Sequence, residues 1–308
     1  MTHLPLNQIL HGDCLELFKE IPNNSIDCIF ADPPFNLKKK YNSHKDKLEC
    51  SEYLQWCQEW ISECLRVLKK GGCLFLHNIP KWLTFYASFL NTRAIFRHWI
   101  SWDAMSAPMG KTLQPAHYDI LFYSKGELKG RFKEIRYPHR RDRKGALLKD
   151  YGGKKQMLHP FGPLCSDVWS DIHRIRHANK RDKHPCQLPL HLLERLILMS
   201  MEEGEVILDP FLGTDTTAIA AKRLQRNFIG FEKDWQYCQI AREKVDTEKF
   251  ISKLGNVYVS FYLHEVITLR ECDWPSSALL TSCVILATPI GVVTLFGKFS
   301  SGGRCFLR

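Results

Sequence analysis

"EVILDPFLGTDTTAIAAKRLQRNFIGFE", residues 205–232, reads as a complete strand–loop–helix–strand unit. A short apolar run ends at Leu208, against Asp209 and Pro210. Gly213 sits in the loop that follows, and Thr216 opens a stretch with helical spacing. Phe228 to Phe231 is a second apolar run. Two buried strands joined by one helix predict a parallel pair in an α/β sheet. In such sheets ligands bind outside the carboxyl ends of the strands. A glycine there lets the backbone approach a ligand closely. Glu232 follows nineteen positions after Gly213, an offset at which an acid can accept hydrogen bonds from ribose hydroxyls. A one-glycine loop also serves plain strand–helix packing, so this unit alone names no ligand.

The pattern extends in both directions. "LHLLERLILMS" (190–200) is an amphipathic helix before it, and Trp235–Val245 is a helix after it. Upstream, Gln8–Leu10 leads into Gly12-Asp13 and an amphipathic stretch, Leu15–Ile21. Ser51 is placed to cap a helix running to about Leu68, with apolar positions at Leu54, Cys57, Ile61, Cys64 and Leu65. "LKKGGCLFLHN" (68–78) reads as helix end, glycine turn and strand. A helix over Lys81–Phe89, a strand near Trp99–Trp102 and the strand "HYDILFYSKG" (117–126) follow.

"SIDCIFADPPF" (25–35) breaks the pattern. The apolar run Ile26–Ala31 stops at an acid, two prolines and a ring. Two prolines remove two backbone donors and fix two φ angles, so no strand or helix continues through them. A carboxylate, a rigid carbonyl and an aromatic ring are held together at a strand end.

The 308 residues suffice for one large or two modest domains. The net charge of +10 is local: residues 125–183 hold 17 Lys and Arg against 7 Asp and Glu, and the rest of the chain is balanced. Tyr137, Tyr151, Phe161 and Trp169 lie among those charges. Basic groups mixed with aromatics neutralise phosphates and touch bases, which points to nucleic acid. The twelve cysteines show no CxxC pair and no metal spacing; Cys50, Cys57 and Cys64 fall on one helical stripe as small hydrophobes. The start shows no basic stretch leading into an apolar core, so a cytoplasmic protein with reduced thiols is expected. "ALLTSCVILATPIGVVTLF" (278–296) is broken by Pro289 and Gly291, which fits a strand pair better than a membrane span.

Together, DPPF and the 209–215 loop resemble the amino-group DNA methyltransferases, whose catalytic tetrapeptide is [DNS]PP[YFW] and whose cofactor loop is FxGxG. Here DPPF comes first, the loop (Phe211, Gly213, Asp215) comes last, and a basic segment lies between. That order resembles the β class. "HPCQLPLHLLERLI" (184–197) and "HYDILFYSKG" fit the same family. Two departures stand out: Asp215 replaces the second glycine, and Leu188 replaces the lysine of HPxxKP.

The resemblance implies an α/β, Rossmann-like S-adenosylmethionine-dependent methyltransferase fold with a mostly parallel central sheet and permuted motif order. It implies a catalytic half over 1–124, a target-recognition segment over 125–183, a cofactor-binding half over 184–254 and an atypical apolar tail over 255–308. Asp32, Pro33, Pro34 and Phe35 are the implied catalytic residues. Implied S-adenosylmethionine contacts are Asp13, Cys14, His184, Asp209, Phe211, Gly213, Thr214, Thr216 and Glu232. Arg136, Arg140, Arg141, Arg174 and Arg176 are implied DNA contacts. No metal is implied. Double-stranded DNA is the expected partner, with pairing of two copies and a cognate restriction endonuclease acting on the same site. The acid of DPPF points to adenine N6 as the target. Cytosine N4 stays open, as does a DNA-binding protein of this fold without catalysis.

Overall fold

The computed structural model describes residues 4–37, 47–103, 116–128, 132, 133, 135, 164–172 and 187–248, together with the backbones of a few further strands. Two compact units are present, Met1–Lys133 with Ser166–Phe250, and Glu134–Cys165 with Ile251–Arg308. The second contains β6 (Leu148–Lys149) paired antiparallel with β7 (Lys155–Gln156). It also contains an antiparallel sheet of β11 (Leu280–Ala287), β12 (Val293–Phe299) and β13 (Arg304–Phe306).

The first unit is built on one eight-stranded sheet. Its strands are β1 (Gln8–His11), β2 (Ile26–Ala31), β3 (Leu68–Asn78), β4 (Ile95–Asp103), β5 (His117–Ser124), β8 (Val168–Trp169), β9 (Val206–Asp209) and β10 (Asn227–Glu232). Their spatial order is β1-β10-β9-β2-β3-β5-β4-β8. The pairings from β1 through β3 are all parallel, and β5 runs antiparallel to both β3 and β4. The helices are α1 (Cys14–Phe18), α2 (Cys50–Val67), α3 (Pro80–Leu90), α4 (Leu190–Ser200), α5 (Thr216–Arg223) and α6 (Trp235–Thr247).

Burial explains the strand patterns. All six residues of β2 and all four of β9 are buried, as expected for central parallel strands covered on both faces. Each such side chain adds roughly 1.5–3 kcal/mol of transfer free energy. Trp60, Phe18, Phe231, Leu74 and Ile29 belong to one apolar core.

The sheet reverses its winding between β2 and β9. From β2 the chain passes through α2 to β3 on one side, and from β9 through α5 to β10 on the other. That is a topological switch point, where doubly wound sheets open a crevice.

Three element boundaries differ from expectation. The N-cap of α2 is Glu49, without a side-chain cap, rather than Ser51. "LKKGGCLFLHN" is strand throughout, because Lys69 to Gly72 form an irregularity in the β2–β3 register between Leu68 and Cys73. Buried Asp27 holds that irregularity by accepting from Lys69 Nζ at 2.8 Å and from the Val206 amide at 3.1 Å. Finally, β9 runs one residue further than expected, to Asp209.

Candidate active site

Four parallel strands end side by side at the switch point. Their last residues are His11, Glu232, Asp209 and Ala31, in sheet order. A cavity of about 470 Å³ lies over these ends. Asp13 and Cys14 line it from the β1 side, Asp32 to Phe35 from β2, Asp209 to Gly213 from β9, and Glu232 from β10. The two motifs, nearly two hundred residues apart in the chain, thus share one cavity.

Each carbonyl after β2 has a different fate. Tyr53 Oη in α2 donates to the Pro34 carbonyl at 2.6 Å, and Trp82 Nε1 in α3 donates to the Phe35 carbonyl at 2.6 Å. Among the described residues no donor reaches the Pro33 carbonyl. Tyr53 is itself fixed by Tyr86 Oη at 3.0 Å, which accepts from Asn78 Nδ2 at 3.2 Å. The Phe35 ring packs against Tyr118, with centroids 5.9 Å apart. Asp32 Oδ1 lies 2.7 Å from His77 Nδ1 at the end of β3.

The loop after β9 is fixed by carboxylates. Asp209 accepts from the Phe211 amide at 2.9 Å and from Thr217 Oγ1 at 2.5 Å. Glu232 accepts from the Gly213 amide at 2.8 Å through one oxygen and from the Asp234 amide at 2.7 Å through the other. Burial pushes both acids up to about 7, although these bonds act in the opposite direction. Gly213 has φ 63°, the left-handed region that glycine enters without cost. Gly230 lets the loop lie close on β10, since a Cβ there would stand 2.5 Å from Leu212 Cδ2.

Thr214 is buried and lines the cavity, as does Thr216, whose hydroxyl donates to the Leu188 carbonyl at 3.4 Å. Phe211 packs edge-on against Trp56 and Trp60. Asp13 caps α1 by accepting from the Leu15 amide at 3.0 Å, and its other oxygen meets Lys233 Nζ at 2.9 Å. Burial pushes the Cys14 thiol up to about 12, so it stays protonated.

Asp215 occupies the second glycine position of the loop with φ 142°. Its buried carboxylate meets Lys244 Nζ of α6 at 2.7 Å. It does not line the cavity. Lys244, His77, Tyr53 and Trp82 were not singled out from the sequence. Only His77 carried a signal, as an imidazole in an otherwise apolar run.

His184, Arg136, Arg140, Arg141, Arg174 and Arg176 lie outside the described residues. Among the described residues no group of three or more His, Cys, Asp or Glu is placed to hold a metal ion, and no helix is long and apolar enough to cross a membrane.

A family model described as DNA methylase matches residues 26–243. The chain belongs to the DNA methylase family. It is 44% identical over 257 residues to the type II methyltransferase M.BamHI of Bacillus amyloliquefaciens, a match covering 82% of this chain and 60% of that protein. It is 32% identical over 251 residues to the DNA adenine methyltransferase YhdJ of Escherichia coli K12, covering 79% and 84%. Among solved structures it resembles TTHA0409 of Thermus thermophilus, a DNA modification methylase complexed with S-adenosyl-L-methionine, at 22% identity and TM-score 0.54, covering 78% and 93%. It also resembles the cytosine-N4-specific PvuII DNA methyltransferase, at 18% identity and TM-score 0.55, covering 83% and 91%. These likenesses carry the Rossmann-like methyltransferase fold.

Proposed function

We propose that this DNA methylase transfers a methyl group from S-adenosylmethionine to the exocyclic amine of a base flipped out of double-stranded DNA, in the setting of type II restriction–modification. One observation carries the reading: DPPF and the 209–215 loop line a single cavity at the switch point of the sheet. Its volume lies in the range of small-molecule sites, roughly 300–1,000 Å³.

The residues present fit the cofactor. Backbone groups from Asp209 to Gly213 and the hydroxyls of Thr214 and Thr216 would hold it, with Phe211 as an apolar wall. Glu232 retains lone pairs for ribose hydroxyls beyond the two amides it serves. Asp13 and Cys14 flank the far end, and His184 belongs to the segment that closes the pocket. When bound, S-adenosylmethionine supplies an electrophilic methyl group.

The protein's own task is to make a poor nucleophile react. The exocyclic amine shares its lone pair with the ring. Asp32 and the unengaged Pro33 carbonyl accept its two hydrogens, which favours a tetrahedral nitrogen with its lone pair free. Asp32 takes the released proton, directly or through water. Pro33 and Pro34 hold the carbonyl still, and Phe35 stacks on the base, which must leave the duplex to reach the site. The basic segment 125–183, with Arg136, Arg140, Arg141, Arg174 and Arg176, supplies phosphate and base contacts. Two copies would pair, and a restriction endonuclease would act on the same site.

At the finer level the acid at position 32 and the likeness to an adenine methyltransferase favour adenine N6. The fold itself also serves a cytosine-N4-specific enzyme, and cytosine N4 presents the same chemistry. Labelled methyl transfer to unmethylated DNA, followed by digestion to nucleosides, tests both levels. Label in N6-methyladenine is the expected result. Label in N4-methylcytosine would keep the mechanism and replace the base. Absence of label with intact DNA binding would leave only a binding protein of this fold.

A further inference from the structure

We propose that His77 is the positioning residue for the Asp32 carboxylate, an inference that rests on reading Asp32 as the group receiving the amine hydrogens. In the β2–β3 register Ala31 pairs with Leu76, so Asp32 and His77 stand level at the cavity end of the sheet. Every residue of β3 from Gly71 to Asn78 is buried. An imidazole in that run requires a reason.

The contacts supply it. His77 Nδ1 lies 2.7 Å from Asp32 Oδ1. An ionised carboxylate only accepts, so Nδ1 carries the hydrogen and donates. The ring is 2% exposed and is enclosed by Phe35, Tyr118 and Trp102, with centroids 5.6, 5.6 and 5.9 Å away. Nε2 has no hydrogen-bond partner. Among the described residues, Asp32 is therefore the only polar group the imidazole contacts. A leucine would fill the same space without burying an unpaired ring nitrogen, and the contact to Asp32 is what it would lack.

This contact divides the labour of the carboxylate. His77 stands behind Asp32 and does not line the cavity, whereas Asp32 does. Oδ1 is tied to the imidazole, which leaves Oδ2 for the amine. The terminal torsion of an aspartate is broad and weakly held by itself. Securing one oxygen fixes the direction of the other. The same imidazole backs the Phe35 ring, so the acceptor and the stacking surface are set against one another by one side chain.

The test is a substitution series read as kcat, KM for DNA and cofactor Kd. Asparagine places its amide nitrogen where Nδ1 stands; glutamine places its amide further out, towards Nε2. His77→Asn is expected within about 5-fold of the wild-type kcat, while His77→Gln and His77→Leu lose about 10²-fold, the scale of a displaced catalytic group. Cofactor Kd is expected unchanged in all three. If the ring served only to fill space, the order would follow volume, with leucine and glutamine ahead of the smaller asparagine, and that order would overturn the proposal. A loss of cofactor affinity matching the loss of kcat would overturn it too. Should His77→Leu fail to fold, the asparagine–glutamine pair still decides. A wild type without methyl transfer would sink the reading of the reaction itself, a result distinct from an unchanged His77→Leu enzyme.

Discussion

The two strand ends that meet in the cavity are held in opposite ways. After β9 the chain supports itself locally. Asp209 binds an amide two residues on, and Glu232, level with it on the next strand, binds Gly213. After β2 the chain is held by side chains from other elements: Tyr53 from α2, Trp82 from α3 and His77 from β3. Two prolines cannot donate hydrogen bonds, so a DPPF turn cannot build its own ladder. Rigidity comes from the prolines, and direction comes from neighbours. A cofactor loop that folds on itself sits beside a catalytic turn that is clamped from outside.

The contrast sets out what should break when each side is cut. The largest effect is expected at Asp32. Asp32→Ala should lose about 10³-fold in kcat, within the 10²–10⁴ range of a positioned acid–base group, with cofactor Kd unchanged by calorimetry. An equal loss of cofactor binding would mean that the two strand ends are one cooperative unit. Next come the outside clamps. Trp82→Leu and Tyr53→Phe each free one carbonyl of the turn and should lower kcat by about 10–100-fold, again without touching cofactor affinity. If either variant changes Kd more than kcat, the division fails.

The self-supporting side has an outside tie too, and it lies at the family's missing glycine. Lys244→Ala leaves the buried Asp215 carboxylate without its lysine. The side chain of Lys244 is about a third exposed, so the cost is expected near 2 kcal/mol rather than the 3–5 kcal/mol of a fully buried pair. Asp215→Gly removes both the charge and the strained φ. The double variant should therefore recover most of the stability lost in Lys244→Ala, a coupling that denaturant titration reads directly.

The smallest effect is one of pH. Asp209 and Glu232 are raised mainly by burial to about 7. A carboxyl raised by folding stabilises the fold at low pH and loses that contribution as pH rises through 7. The empty protein should thus lose stability from about pH 4 to pH 7. The ionised acid is the better acceptor for hydroxyl donors, so cofactor affinity should move the other way, tightening about tenfold between pH 6 and pH 8. Glu232→Gln should flatten that profile.

The same contrast explains what could be read from the sequence. The βαβ unit over 205–232 and the parallel sheet were legible because burial leaves apolar runs, and the cavity motifs were legible because their chemistry is packed into a few consecutive residues. Asp209, Gly213 and Glu232 belong to the side that supports itself, so their partners lie nearby in sequence. Tyr53, Trp82 and His77 act on the turn across the fold, and a tyrosine or tryptophan on a helix looks like core until its hydroxyl or indole nitrogen finds a carbonyl. Lys244 was hidden for the same reason. It reads as one more surface lysine on α6 until the fold brings Asp215 beneath it.

The strand order carries a consequence for biosynthesis. The first two strands to leave the ribosome, β1 and β2, are not neighbours; β10 and β9 stand between them. Until translation passes Glu232, the fully apolar β2 has one open edge and β1 has no partner in the sheet. Such a nascent chain has to be kept from pairing with the wrong strand, its own or another's. A ribosome-stalled product ending before Val206 should accordingly be captured by a holdase chaperone, and one extending past α6 should be released. The cofactor site is then the last part of the unit to exist, completed by the same segment that closes the sheet.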